Sequence, residues 1–246
     1  MRRAAAVSLA LLCAAGPAAA GWLSPAERQA FRAELRAYLL DHPEVIEEAL
    51  SGAEARRQQR HAETDLARLD AHADELFHAA ADWTGGNPEG STNVVSFIGY
   101  GCESCERALA AVRELARQDP DVRLIVKDVA APDDAEGARA ARFAQAVLHL
   151  AGAAAYETAQ AALFAAPDFS AATLTVIASG LGLDAEAVTV AMDGPEPGAT
   201  VAANMALTAA LDLGPAPAHV LDRIMVQGDV PAVALARMLD STRRKK

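Results

Sequence analysis

The stretch Tyr100-Gly101-Cys102-Glu103-Ser104-Cys105 joins a buried-strand pattern to an amphipathic helix pattern, and the rest of the chain reads as support for that turn. Upstream, Asn93-Val94-Val95-Ser96-Phe97-Ile98 is β-branched and aromatic, as a buried strand requires, and Gly99 and Gly101 release the chain into a turn. Downstream, Leu109, Val112, Leu115 and Ala116 recur at helical spacing until Asp119-Pro120 ends the pattern. The spacing predicts Cys102 at or next to the helix N-cap, where unpaired N–H groups and the helix dipole favour a thiolate. A thiolate is the form that attacks disulfides, and Cys105, one turn further in, is placed to displace what Cys102 captures.

The chain's 246 residues, 52% hydrophobic and 4% aromatic, can bury one large core or two smaller ones, built by helix packing rather than an aromatic β-sandwich. Met1-Arg2-Arg3, an apolar run to Ala15 and Gly16-Pro17-Ala18-Ala19-Ala20 have the three parts of a secretory signal, with cleavage expected after Ala20. Leu12 before Cys13 argues against a lipoprotein site. Of three cysteines, Cys13 falls within the leader, so an exported chain keeps only the pair in the motif. That is too small a ring for a structural staple to matter much. The formal charge of −11 disfavours nucleic acid and anionic membrane as partners.

Ahead of the motif, Ser24-Pro25-Ala26-Glu27 is a capping box, and Phe31, Leu35, Tyr38 and Leu39 form a stripe on the helix that follows. A second helix begins near Pro43. Beyond a polar stretch at 54–61, Leu66, Leu69, Leu76 and Phe77 resume a narrow stripe, which either packs on a second copy of the chain or folds back on its own domain. Residues 84–90 read as a loop and a boundary. Val122 to Lys127 is a second strand, and strand, helix and strand make a right-handed parallel crossover with the thiols at a strand's C-terminal end. Residues 134–192 are helical, broken at Gly152, Pro167, Gly180 and Gly182, with Ser170 and Asp184 as N-caps. A loop at Gly194 to Gly198, a helix through Val201 and Met205, two short strands and a closing helix from Pro231 complete the chain, with Arg243 to Lys246 read as a solvated tail.

This order of elements resembles the DsbA-type thioredoxin-fold proteins from about Asp82 to the end. Gly86-Asn87-Pro88-Glu89-Gly90, Phe97-x-x-Tyr100-x-Cys102-x-x-Cys105 and Lys127-Asp128, with the leading Tyr38-Leu39-Leu40-Asp41-His42-Pro43-Glu44-Val45, are similar to the ScsC-like branch. The resemblance implies an α/β thioredoxin fold with an inserted helical subdomain, preceded by an N-terminal helical segment. The parts are then a signal peptide at 1–20, an oligomerisation segment at 21–80, the first part of the thioredoxin fold at 81–133, the insert at 134–198 and the second part at 199–246. It implies a periplasmic thiol-disulfide oxidoreductase without cofactor or metal, acting on proteins with cysteines or disulfides, reset by a membrane redox partner, and homo-oligomeric, with a trimer favoured. Cys102 becomes the nucleophile and Cys105 the resolving thiol. Pro217 becomes the family's cis-proline, which with Ala216 holds an extended substrate, while Glu103 and Ser104 modulate the thiol.

Several residues depart from the pattern. Ser96 replaces a buried acid that relays a proton to the resolving cysteine, Pro215-Ala216 replaces Gly-Thr, and His219, read as edge-exposed, replaces a large apolar residue. Glu103 opposes the thiolate that the helix favours, which points to a milder oxidant, closer to an isomerase or reductase. The alternative is a metal-tolerance protein holding copper(I) between the two thiolates.

Overall fold

The computed structural model describes residues 23–244; the leader read at 1–20 lies outside them. The chain forms two compact units, divided between Gln58 and Gln59. In the first, α1 (Pro25–Asp41) starts at Ser24, whose Oγ accepts from the Glu27 N–H at 3.3 Å while Glu27 Oε2 accepts from the Ser24 N–H at 2.7 Å. These bonds hold the Glu27 carboxyl below its ordinary range. The division between units falls within α2 (Pro43–Ala71), which runs through Gly52 and the polar stretch at 54–61 without a break. Nothing on α1 is buried: Phe31 is 57% exposed and Tyr38 51%.

The second unit is built on a five-stranded sheet of β1 (Trp83–Gly86), β2 (Thr92–Ile98), β3 (Val122–Asp128), β4 (Ala218–Leu221) and β5 (Ile224–Gln227), in the order β1-β3-β2-β4-β5. β2 and β3 are parallel, and the other pairs are antiparallel. Alternation along the strands gives two faces. Val94, Ile98, Leu124, Val126 and Leu221 pack with α4 (Cys105–Gln118), α5 (Ala135–Ala165) and α9 (Ala232–Arg243). Val95, Phe97, Ile125 and Val220 pack with Leu69 of α2, Leu76 of α3 (Ala73–Phe77) and Leu207 of α8 (Pro195–Ala210). The stripe at 66–77 therefore folds back on its own domain. Leu109, Val112 and Leu115, buried on α4, are each worth roughly 1.5–3 kcal/mol of burial.

Three expectations need correction. Residues 84–86, read as the start of a loop, belong to strand β1, because Trp83 is buried and its backbone pairs with Val126. At Gly86, with φ +67°, a Cβ would come within 2.6 Å of the Val122 carbonyl oxygen, so the close approach of β1 requires glycine. Residues 195–198 open α8 instead of forming a loop, since Pro195 occupies the first turn, where its missing N–H costs nothing. Arg243 is not merely solvated: it donates to Asp119 at 2.5 Å and to Thr92 Oγ1 at 2.9 Å, tying α9 to the start of β2 and β3. The insert comprises α5, kinked at Gly152, with α6 (Ala171–Gly180) and α7 (Ala185–Met192) capped by Ser170 and Asp184 as read from sequence.

Candidate active site

The thiol pair sits where β2 hands over to α4. Gly101, with φ +78°, turns the chain, and Cys102 to Cys105 form a tight turn in which the Cys105 N–H donates to the Cys102 carbonyl at 3.1 Å. The helix begins at Cys105 with Ser104 as N-cap, so Cys102 lies two residues before the cap rather than at or next to it. Ser104 makes no capping bond with its side chain; its Oγ lies 3.7 Å from Cys102 Sγ instead. Cys102 and Cys105 are joined as a disulfide, S–S 2.12 Å. Cys102 is half-buried and Cys105 wholly buried.

Opposite the motif, the loop before β4 brings the Ala216 carbonyl oxygen within 3.5 Å of Cys102 Sγ, and the Ala216–Pro217 peptide is cis. Cys102 opens on a largely apolar groove of about 530 Å³, whose walls include Phe97, Tyr100, Val129, Met205, Leu213 and Pro215. Ala216 lines this groove, and Pro217 follows at its edge. On the other side of Cys102 stand Glu103, Glu106 and Phe164. Glu103 is exposed, so water screens its opposition to a thiolate.

Beneath the motif is a polar network that the sequence reading did not anticipate. Asp128, at the end of β3 and opposite Ile98, accepts from Tyr100 Oη at 2.8 Å, Gln145 Nε2 at 2.7 Å and Tyr156 Oη at 3.0 Å. Burial pushes the Asp128 carboxyl up to about 7, although the three donors pull the other way. Burial also pushes the Tyr100 and Tyr156 hydroxyls well above their ordinary range. Gln160 and Arg113 extend the network to α4, with the Arg113 guanidinium over the Trp83 ring, and Lys127 pairs with Asp82 and Asn204. The Lys127-Asp128 pair carried this signal in the sequence, but its partners come from α5, α8 and the segment before β1.

His219 also needs correction. It lies on β4, between β2 and β5, and is wholly buried, with Nδ1 3.0 Å from Ser96 Oγ. Burial lowers its pKa to about 4, against smaller opposing effects from the Gly228 backbone and the Asp229 carboxylate. Among the described residues no group of three or more His, Cys, Asp and Glu is arranged to hold a metal. No described helix is long and apolar enough to cross a membrane.

A β-α-β core with a disulfide-forming Cys-x-x-Cys at its turn, faced by a cis-proline loop and carrying a helical insert, defines the class of thioredoxin-fold proteins with a redox thiol pair. The crystal structure of a thioredoxin-like oxidoreductase from Silicibacter pomeroyi is 32% identical, matching 70% of this chain and 97% of its own with a TM-score of 0.63. Residues 27–60 match the family described as the copper resistance protein ScsC N-terminal domain. A linker-deletion variant of Proteus mirabilis ScsC (21% identity, 92% of this chain and 100% of its own, TM-score 0.65) shares the fold. So does Salmonella enterica Typhimurium BcfH (21%, 87% and 95%, TM-score 0.68). No curated protein sequence matches the chain. The chain belongs to the thioredoxin-like oxidoreductases.

Proposed function

We propose that this oxidoreductase works in the periplasm as a disulfide isomerase or reductase on protein substrates, with Cys102 as nucleophile and Cys105 as resolving thiol. The observation that carries the assignment is the asymmetry of the pair: Cys102 Sγ opens on the groove beside Ala216, whereas Cys105 is sealed in the core. A substrate chain lying along Ala216 and Pro217 brings its sulfur to Cys102 and cannot reach Cys105. Cys102 thiolate attacks the substrate disulfide, releasing one substrate thiolate, and Cys105 thiolate then displaces the other and leaves the enzyme disulfide. Ser104 Oγ supports the Cys102 thiolate as a donor.

The mild direction rests on Glu103 beside the nucleophile and on the absence of a buried acid at Ser96. Equilibration in glutathione buffers, with Cys102→Ser as control, tests it. A potential at or below about −180 mV is expected; a value near the roughly −120 mV of DsbA refutes it. The exposed stripe of Phe31, Leu35 and Tyr38 supports a homo-oligomer, a trimer by likeness to the branch, formed through α1. A monomer by light scattering at tens of micromolar refutes that part. The copper(I) reading draws nothing from the matched segment 27–60, which contains no cysteine.

A further inference from the structure

Cys105 has to lose a proton before it attacks a mixed disulfide on Cys102, and it is 0% exposed. Bulk water does not reach it, so an acceptor within the fold is needed. Ser96 alternates with Val94 and Ile98 on the face of β2 that packs against Cys105 and Leu109 of α4. His219 pairs with Ser96 across β2 and β4, on the same face as Leu221 and opposite to Ala218 and Val220. Its Nδ1 is engaged by Ser96 Oγ at 3.0 Å, while Nε2 is buried with no hydrogen-bond partner. The buried carboxyl on this face, Asp128, is already held by three donors. We propose that Ser96 and His219 form the proton carrier for Cys105: Ser96 accepts from Nδ1–H and so leaves the Nε2 lone pair for the Cys105 proton.

The inference rests on the roles given above to Cys102 and Cys105. In the step, the Cys105 S–H bond breaks and its proton passes to Nε2, directly or through one water. The sulfur's electron pair forms the bond to Cys102 Sγ, and the bond from Cys102 to the substrate sulfur breaks. The substrate leaves as a thiolate, and the imidazolium returns the proton to it or to solvent. No outside oxidant enters, because the substrate disulfide is what is reduced. The groups around the imidazole set its balance. Beside the disulfide it is neutral; the Gly228 backbone and then the Asp229 carboxylate, itself paired with Arg107 of α4 at 2.8 Å, favour protonation, as does a thiolate forming at Cys105. α9 contributes apolar Leu235 and Leu239 to this face.

The test is stopped-flow reaction of the reduced full chain with 5,5′-dithiobis(2-nitrobenzoate), read at the thionitrobenzoate band. The first release, which rises with reagent concentration, reports Cys102; the second, independent of it, reports Cys105. In His219→Gln the second phase is expected to fall at least about a hundredfold at pH 7, the lower end of the usual range for general base catalysis, and to recover as pH rises and Cys105 ionises unaided. The ratio of the phases is read in Ser96→Ala as well, which leaves the imidazole in place and displaces the pH profile of the second phase alone. Should His219→Gln fail to fold, the Ser96→Ala profile decides. A second phase unchanged in rate and pH profile, or both phases slowed equally at every pH, overturns the inference. A concentration-dependent first phase that persists in Cys102→Ser instead overturns the assignment of Cys102.

Discussion

Asp128→Asn isolates what it costs to keep a carboxylate under the active-site turn. The carboxyl is buried, and its pKa rises from 3.8 to about 7, burial outweighing the bonds from Gln145, Tyr100 and Tyr156. For an acid whose folded pKa exceeds its unfolded one, the native state binds the extra proton between those values. Its contribution is therefore fully present below pH 3.8 and lost as pH rises through about 7. A displacement of that size corresponds to about 4 kcal/mol, at about 1.4 kcal/mol per pH unit. Asparagine keeps the shape and an oxygen for the two tyrosines, and its amide does not titrate. Urea unfolding of the oxidised protein at pH 4 and pH 8 measures the difference between the two forms. The stability of the unsubstituted protein relative to Asp128→Asn is expected to fall by up to about 4 kcal/mol between those pH values, or about 2 M in urea midpoint at a slope near 2 kcal/mol/M. Other carboxylates cancel in the difference. A difference that stays flat, or one that grows with pH, refutes the reasoning, since it means the three donors outweigh burial.

Further predictions concern the other buried charges. His219, whose folded pKa is lowered from 6.5 to about 4, has the opposite sign: its contribution is present above pH 6.5 and lost as pH falls through about 4. Urea midpoints of His219→Gln are therefore expected to decline less than those of the parent between pH 6.5 and 4. Lys127→Ala leaves buried Asp82 without its cation and is expected to cost about 3–5 kcal/mol in urea unfolding, while Lys127→Met combined with Asp82→Leu recovers most of that. Tyr100→Phe removes one donor to Asp128 and is expected to lower stability by about 1–3 kcal/mol, with thermal unfolding as the measure.

Periodicity and turn chemistry determine much of this protein locally. The β2 and α4 patterns, the Ser24 capping box, the Ser170 and Asp184 caps and the break at Gly152 are visible in sequence because each depends on residues within a few positions of one another. The Cys-x-x-Cys turn is legible for the same reason, since glycine, thiols and helix start are contiguous. The segment 84–86 looks like a loop because its strand character comes from a partner, β3, some forty residues away in the chain. Only the tertiary structure decides which neighbours a buried polar group acquires. The Asp128 network draws on β3, α5 and the motif turn, and His219 is buried because β4 lies between β2 and β5, with Ser96 more than a hundred residues away. A side chain's pKa follows its dielectric surroundings and its partners, and long-range packing sets both. The sequence by itself therefore determined where the sulfur chemistry takes place, and the fold decided which buried groups surround it.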